Sequence, residues 1–207
     1  SAEALDASAR ALKANPRLVE SHVAAALVAL HVQFDQLKSA QAWEKALELG
    51  PTDFEARVTR AVFYLGYIRG DFDEAAAEIR LALDCDPLNP TYHTNFAFVL
   101  GFTGRGAEAA VEARRAMELD PDALYAQWVL VLSLFIAGAD EDVIATGMQV
   151  MSKFGRHAWI MMAMTGAYAR LGRMEEARSL YAELQARSRT GYVQPGVLAT
   201  TASYLGH

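Results

Sequence analysis

The chain has 207 residues, of which 53% are hydrophobic and 21% are charged, and its formal net charge is −6. This balance is typical of a folded globular protein rather than a disordered one, and the acidic charge disfavours direct binding to the phosphates of nucleic acids. The single cysteine, Cys85, excludes both an internal disulfide framework and a zinc site built from several cysteines.

Apolar residues recur at helical spacing along the whole chain, and turn residues divide this pattern into twelve predicted helices. In chain order the predicted helices cover residues 2–14, 19–33, 37–49, 53–69, 72–85, 90–102, 106–119, 122–137, 140–153, 157–171, 174–187 and 192–205. No linker or low-complexity segment interrupts the series, so the sequence predicts one domain over residues 1–207.

Small residues recur in this series at a fixed interval. Gly70, Gly104, Gly138, Gly172 and Gly206 are each 34 residues apart, and five residues after the first four come Ala75, Ala109, Val143 and Ala177. Glycine suits the left-handed backbone of a tight turn, and a small side chain lets two helices approach closely. A fixed period of this kind predicts stacked helix pairs.

Two segments carry a family resemblance. The stretch from Arg69 to Pro87 and the stretch from Gly104 to Pro121 resemble the second half of a tetratricopeptide repeat, whereas the first-helix signature of that repeat is degenerate here. The resemblance implies an all-α fold, a right-handed superhelical solenoid of antiparallel helix pairs. The whole pattern is also similar to the tetratricopeptide modules of bacterial regulatory proteins, which carry winged-helix, cyclase or kinase output domains.

The repeats are incomplete at both ends and uneven near the start. The helix over 2–14 matches a second helix without its first, and the helix over 192–205 matches a first helix without its second. We therefore expect five full repeats flanked by half repeats, excised from a longer protein. Pro16 and Pro51 are 35 residues apart, and Pro51 and Pro87 are 36 apart, so these two repeats carry extra residues in their first helices or turns.

An apolar, aromatic stripe runs along the predicted first helices. The resemblance implies that these helices line a concave groove, and we predict that its partner-binding residues are Phe98, Phe102, Tyr125, Trp128, Leu132, Phe135, Trp159 and Met162. An exposed stripe of this kind is typical of an interaction site, with tryptophan and tyrosine as anchors. The alternative is that some of these rings pack between helices. The family's basic and asparagine-rich carboxylate clamp is absent, since its slots hold residues such as Val58, Thr94 and Gly166.

Other candidate chemistry has a structural interpretation. The glycines from Gly101 to Gly106 lie between two predicted helices, so they indicate a turn rather than a phosphate loop. His22 and His93 occupy slots that hold a packing residue in the family, which favours a role in helix packing over metal binding. Cys85 is expected to be a buried small hydrophobe. We predict no metal, no cofactor and no catalytic residue.

These observations predict a module that binds a polypeptide and catalyses nothing. Its partner would be a protein or peptide, such as an attached output domain or a second copy of the chain, and a free-standing assembly or chaperone adaptor is the alternative function. An enzyme would need polar groups converging on a pocket, and the stripe has few of them. No apolar run reaches the roughly 18–20 residues of a membrane helix, and no signal peptide is recognised, so we expect a cytoplasmic protein without a membrane partner.

Overall fold

Twelve α-helices occupy residues 2–206, the part of the chain that the computed structural model describes. They are α1 (Ala2–Ala14), α2 (Val19–His31), α3 (Gln36–Leu49), α4 (Phe54–Arg60), α5 (Phe72–Cys85), α6 (Pro90–Phe102), α7 (Gly106–Leu119), α8 (Leu124–Ile136), α9 (Asp140–Phe154), α10 (Ala158–Arg170), α11 (Met174–Thr190) and α12 (Pro195–Tyr204). Helix α4 continues directly into a π-helical segment, Ala61–Arg69. No strand occurs among the described residues, so the predicted all-α class is confirmed.

Most predicted helix ends agree with the structure to within about two residues, and the largest difference lies near the end of the chain. Helix α11 continues to Thr190, and α12 begins only at Pro195 rather than at Tyr192. Proline lacks an N–H and disfavours the helical conformation of the residue before it, so it fixes the start of a helix at its own position. The backbone of Gly191 is extended, which separates the two helices.

The chain forms two compact units, the first ending at Val99 and the second beginning at Leu100, and each is described by itself. The first unit contains α1 to α5 with the π-helical segment, and the second contains α7 to α12. Helix α6 crosses the boundary between them. The prediction of a single domain over residues 1–207 stays a prediction.

The repeated small residues lie where the period predicts. The glycines Gly70, Gly104, Gly138, Gly172 and Gly206 all have a left-handed backbone, with φ between 68° and 78°. Ala75, Ala109, Val143 and Ala177 are all fully buried, with 0% of their surface exposed. These two columns confirm that consecutive helices pair through a tight turn and a close crossing.

One position in the turn column is not glycine. Phe34 precedes Pro51 by 17 residues, as Gly70 precedes Pro87, and its φ is 55°. A left-handed backbone costs an ordinary residue roughly 1–2 kcal/mol. The turn geometry of the repeat is therefore retained at Phe34, although phenylalanine disfavours a left-handed backbone.

The extra residues of the second full repeat lie in its first helix. Gly70 lies 19 residues after Pro51, whereas Gly104 lies 17 after Pro87. The intervening segment, Ala61–Arg69, is π-helical, with hydrogen bonds that span five residues instead of four. The wider helical turn accommodates the extra residues, which the sequence placed in the first helix or in its turn. Helical periodicity did not indicate that the segment would be π-helical.

The turns between repeats share a hydrogen bond. The carbonyl oxygens of Pro16, Pro51, Pro87 and Pro121 each accept from a side chain six residues later, from His22, Arg57, His93 and Gln127 at 2.8–3.0 Å. The two histidines do so through Nε2, which carries the hydrogen in the donating tautomer. Both histidines therefore stabilise turns between repeats, and this structural role accounts for their presence.

Candidate functional site

The structure divides the eight predicted groove residues by their exposure. Phe98 and Met162 are buried, with 4% and 8% of their surface exposed. The side chains of Trp128, Leu132, Phe135 and Trp159 are half-buried. Tyr125 and Phe102 are exposed, at 43% and 49%. The predicted stripe is thus partly core and partly surface, and its surface members concentrate on the second unit.

Three of these rings form a cluster on α8 and α10. Tyr125 and Trp128 lie one helical turn apart on α8, and their rings stack with centroids 5.6 Å apart and an interplanar angle of 19°. Trp159, in the first turn of α10, meets Trp128 edge to face at 5.8 Å. Both arrangements are favourable for aromatic pairs, so the rings hold one another in fixed positions.

The cluster borders an open cavity of about 440 Å³, here called the aromatic cavity. Its walls are Leu124, Tyr125, Trp128, His157 and Trp159. The lining contains no Asp, Glu, Lys or Arg, and the polar side-chain groups of its residues are the imidazole of His157, the phenol hydroxyl of Tyr125 and two indole N–H groups. A site of this composition can bind an apolar side chain by removing it from water.

Phe135 is held differently from the rings of the cluster. A β-carbon added to Gly166 of α10 would lie 2.6 Å from Cε2 of Phe135, so the ring packs directly on the backbone of that glycine. The Arg170 guanidinium carbon lies 3.9 Å from the centroid of the same ring, and Tyr204 lies on it at 5.6 Å. Neighbours on α10 and α12 therefore cover Phe135, and it contributes mainly to packing in this unit.

The first unit buries most of its part of the predicted stripe. The first helices of this unit also carry Val58, Val62, Leu65 and Thr94, and each of these side chains has at most 3% of its surface exposed. Four rings form a continuous row of contacts in this unit. His31 meets Phe63 at a centroid distance of 5.3 Å, Phe63 stacks on Tyr67 at 6.3 Å, and Tyr67 stacks on Phe98 at 5.9 Å. Phe63 and Tyr67 lie in the π-helical segment, and the stripe selected by helical periodicity did not include them.

A second cavity, of about 410 Å³, adjoins the aromatic cavity and shares His157 and Trp159 with it. It is here called the polar cavity, because its lining includes Arg156, Arg187 and Gln194 as well as Tyr192. The sequence did not indicate this cavity. Apart from Phe154 at the end of α9 and Ala158 and Trp159 at the start of α10, its lining comes from α11 and from the turns before α10 and α12, which the stripe along the first helices does not include.

The predicted burial of Cys85 is wrong, because the residue is exposed. It is the last residue of α5, and the turn that begins at Asp86 leaves this end of the helix open. The equivalent residues Leu49 and Leu119 are half-buried rather than buried. The position shared by Leu49, Cys85 and Leu119 in their repeats therefore does not lie in the core.

The glycines from Gly101 to Gly106 form the predicted turn between α6 and α7. The N–H of Arg105 donates to the carbonyl oxygen of Leu100 at 3.1 Å, and Gly104 has the left-handed backbone of the turn column. Within residues 2–206, no three His, Cys, Asp or Glu side chains lie close enough together to hold a metal ion. None of the helices described in this range has the length and apolar character needed to cross a membrane.

Solved structures resemble the chain over most of its length. PilW, a widely conserved type IV pilus biogenesis factor, matches with a TM-score of 0.78 at 20% identity, over 96% of this chain and 89% of PilW. A tetratricopeptide repeat protein from Parabacteroides merdae ATCC 43184 matches with a TM-score of 0.73 at 12% identity, over 97% of this chain and 76% of that protein. YrrB, a tetratricopeptide protein with an unusual peptide-binding site, matches with a TM-score of 0.57 at 19% identity, over 85% of this chain and 89% of YrrB.

The sequence comparisons give no such match: no protein-family model matches the chain, and no curated protein matches it significantly. The structural likeness is one of fold, since the identities lie between 12% and 20%. It agrees with the turn glycines and with the small residues at the helix crossings, both of which have the conformation and burial that the repeat requires. This chain therefore has the tetratricopeptide-repeat fold.

Proposed function

We propose that the chain is a protein-binding module and that the aromatic cavity of its second unit binds an apolar side chain of a partner polypeptide. The observation that carries this proposal is the open cluster of Tyr125, Trp128 and Trp159 around a cavity of about 440 Å³ without a charged wall. Exposed aromatic patches are uncommon on proteins that bind nothing, and tryptophan and tyrosine dominate binding energies at interfaces.

The aromatic cavity is a smaller site than the groove predicted from the sequence. Phe98 and Met162 are buried, and Phe135 is covered by its neighbours, so these side chains offer little surface to a partner. Leu124 and His157 join the site, because they complete the cavity wall. Contact of the partner with Leu132 and Phe102 stays a prediction.

The comparisons are compatible with this function. YrrB is described as having a peptide-binding site, and PilW as a factor in pilus biogenesis, which are statements about those two proteins. A stack of helix pairs offers long surfaces to other polypeptides and gathers few polar groups into an enclosed pocket. The lack of catalysis, the attachment to an output domain and the cytoplasmic location stay predictions.

The proposal can be tested with a displayed library of random short peptides, selected on the wild-type chain. We expect the selected peptides to share a large apolar residue and Trp128→Ala to weaken their binding at least roughly tenfold, as for the loss of a central aromatic anchor. The loss caused by Trp128→Ala should be the same at low and high salt, because screening acts on exposed charges and not on an apolar contact.

Val111→Ala is the matched control, since this valine on α7 is 61% exposed and lies outside the cavity wall. Peptides that bind Trp128→Ala and Val111→Ala equally well, and that dissociate at high salt, would show that charged surfaces bind the partner. A library that yields no binder would also overturn the proposal.

A further inference from the structure

The polar cavity holds more positive than negative charge, on a chain whose formal net charge is −6. Arg156 is paired: its Nε and Nη2 donate to the two carboxylate oxygens of Glu183 at 2.6 and 2.5 Å. Arg187 is different, because no acidic side chain in residues 2–206 lies within ion-pair distance of it. The cavity wall therefore carries two guanidinium groups, of which one is neutralised by a carboxylate.

The Arg187 guanidinium is held in place by groups that do not neutralise it. Its Nη1 donates to the backbone carbonyl oxygen of Arg156 and lies 3.5 Å from Sδ of Met161. The Nε and Nη2 atoms have no partner among the residues that the structure describes. These two atoms form one edge of the guanidinium fork, and that edge matches the two oxygens of a carboxylate.

The two cavities adjoin, so one segment can reach both. They share His157 and Trp159, which form the wall between them. Gln194 lines the polar cavity and can supply an amide donor, and α10 begins at Ala158 on the same wall. An anion in the polar cavity would thus lie beside an apolar group in the aromatic cavity.

We propose that the polar cavity binds the side-chain carboxylate of an Asp or Glu in the partner, close in sequence to the apolar residue that occupies the aromatic cavity. The carboxylate accepts two hydrogen bonds from Nε and Nη2 of Arg187. This inference rests on the proposed function and adds the chemistry of the partner: an apolar anchor next to an acid. It differs from the family's clamp in position, because Arg187 lies on α11, a second helix, and not on a first helix.

The test uses a peptide selected on the wild-type chain, synthesised with an amidated C-terminus so that its acids are all side chains. Its affinity is measured by calorimetry in the acidic form and in the form with Gln in place of Glu, or Asn in place of Asp. We expect the selected peptides to carry an acid near the apolar residue, and the amide form to bind roughly tenfold more weakly.

Arg187→Gln should weaken the acidic peptide by a similar factor and leave the amide form unchanged, so the two changes should not add. Arg187→Lys keeps the charge and should recover part of the affinity. Arg178→Gln is the matched control, because Arg178 lies exposed on the same helix, is absent from the cavity wall and should not affect binding. Circular dichroism of each variant establishes that the helices persist.

The outcomes separate the two proposals. Selected peptides that carry no acid would overturn the carboxylate site. Binding that Trp128→Ala abolishes but Arg187→Gln leaves intact would also overturn the carboxylate site and would retain the aromatic cavity. Binding that Trp128→Ala does not change would overturn the proposed function. Equal loss in Arg187→Gln and Arg178→Gln would indicate a general charge effect and would also overturn the carboxylate site.

Discussion

The ring of Phe135 lies against the backbone of Gly166, at a distance that leaves no room for a β-carbon. Such an atom would come within 2.6 and 2.7 Å of two ring carbons of Phe135 and within 2.9 Å of Cε2 of Tyr204. Arg170, one turn further along α10, also contacts this ring, with its guanidinium carbon 3.9 Å from the centroid of the Phe135 ring. The glycine thus allows α8, α10 and α12 to share one aromatic contact.

Gly166→Ala should therefore lower the free energy of unfolding, although alanine is the better helix former. Overpacking in a closed site costs about 1–3 kcal/mol, and the gain in helix propensity is about 1 kcal/mol, so we expect a net loss of up to about 2 kcal/mol. Urea unfolding followed by circular dichroism measures the change.

Gly196→Ala on α12 is the control, because nothing lies within 4 Å of a β-carbon added to Gly196. Gly196→Ala should raise the free energy of unfolding by up to about 1 kcal/mol. Two alanine variants of equal stability would contradict the packing of Phe135 on Gly166.

The left-handed backbone of Phe34 leads to a second pair of predictions, in which one substitution raises the free energy of unfolding and the other lowers it. Its φ of 55° is unfavourable for phenylalanine, and its side chain is 83% exposed, so glycine would relieve strain and lose little burial. Phe34→Gly should raise the free energy of unfolding by about 0.5–1 kcal/mol, after the larger chain entropy of unfolded glycine is included.

Gly104→Ala is the converse substitution in the same column. Its φ is 75°, and nothing lies within 4 Å of an added β-carbon, so its cost comes from the backbone alone. We expect a loss of about 1 kcal/mol in the same unfolding measurement. Loss of stability in Phe34→Gly would mean that the exposed ring makes contacts worth more than the strain.

The helices and the repeat columns could be predicted from the sequence, because each depends on local rules that recur every 34 residues. Turn glycines and small crossing residues have one geometric role in every copy. The cluster of Tyr125, Trp128 and Trp159 also lies on the first helices, as the stripe indicated.

Features that depend on how neighbouring helices pack could not be predicted in the same way. Helical spacing selects the face on which Phe98 and Met162 lie, but it does not determine whether an adjacent helix covers that face. Helical periodicity did not indicate the π-helical segment that carries Phe63 and Tyr67, and the exposed end of α5 uncovers Cys85. The polar cavity combines residues from two turns and from α11, which no periodic pattern brings together.

The phenol of Tyr204 should make stability depend on pH in alkaline solution. Burial raises the pKa of Tyr204, and the charge of Arg170 opposes this shift only in part. Because the folded pKa exceeds the unfolded value of about 10, the neutral phenol stabilises the fold below pH 10, and this contribution is lost as the pH rises through the folded pKa.

Tyr204→Phe keeps the ring on Phe135 and removes the titration. The wild-type chain should lose more stability than Tyr204→Phe between about pH 9 and about pH 11, as measured by urea unfolding at each pH. Every other titratable group is present in both proteins, so its effect cancels in the difference. Parallel pH profiles would contradict the burial of the phenol.

Phe98 and Tyr125 should separate stability from binding. Both were predicted to contact a partner, but Phe98 is 4% exposed and stacks on Tyr67 at 5.9 Å, whereas Tyr125 is 43% exposed on the wall of the aromatic cavity. Phe98→Ala should cost about 3–5 kcal/mol of unfolding free energy, as for a large ring removed from a core. Tyr125→Ala should cost no more than about 1 kcal/mol.

The affinity for a selected peptide should be lowered more by Tyr125→Ala than by Phe98→Ala, the reverse of their effects on stability. Tyr125→Ala removes part of the cavity wall and the ring that stacks on Trp128, so its affinity should fall roughly tenfold. Phe98→Ala should leave the affinity of its folded fraction unchanged, because the side chain offers a partner almost no surface. Calorimetry under conditions where circular dichroism shows intact helices measures both effects. A Phe98→Ala protein that remains folded but binds as weakly as Tyr125→Ala would mean that the partner contacts the longer stripe, and the site would then extend beyond the aromatic cavity.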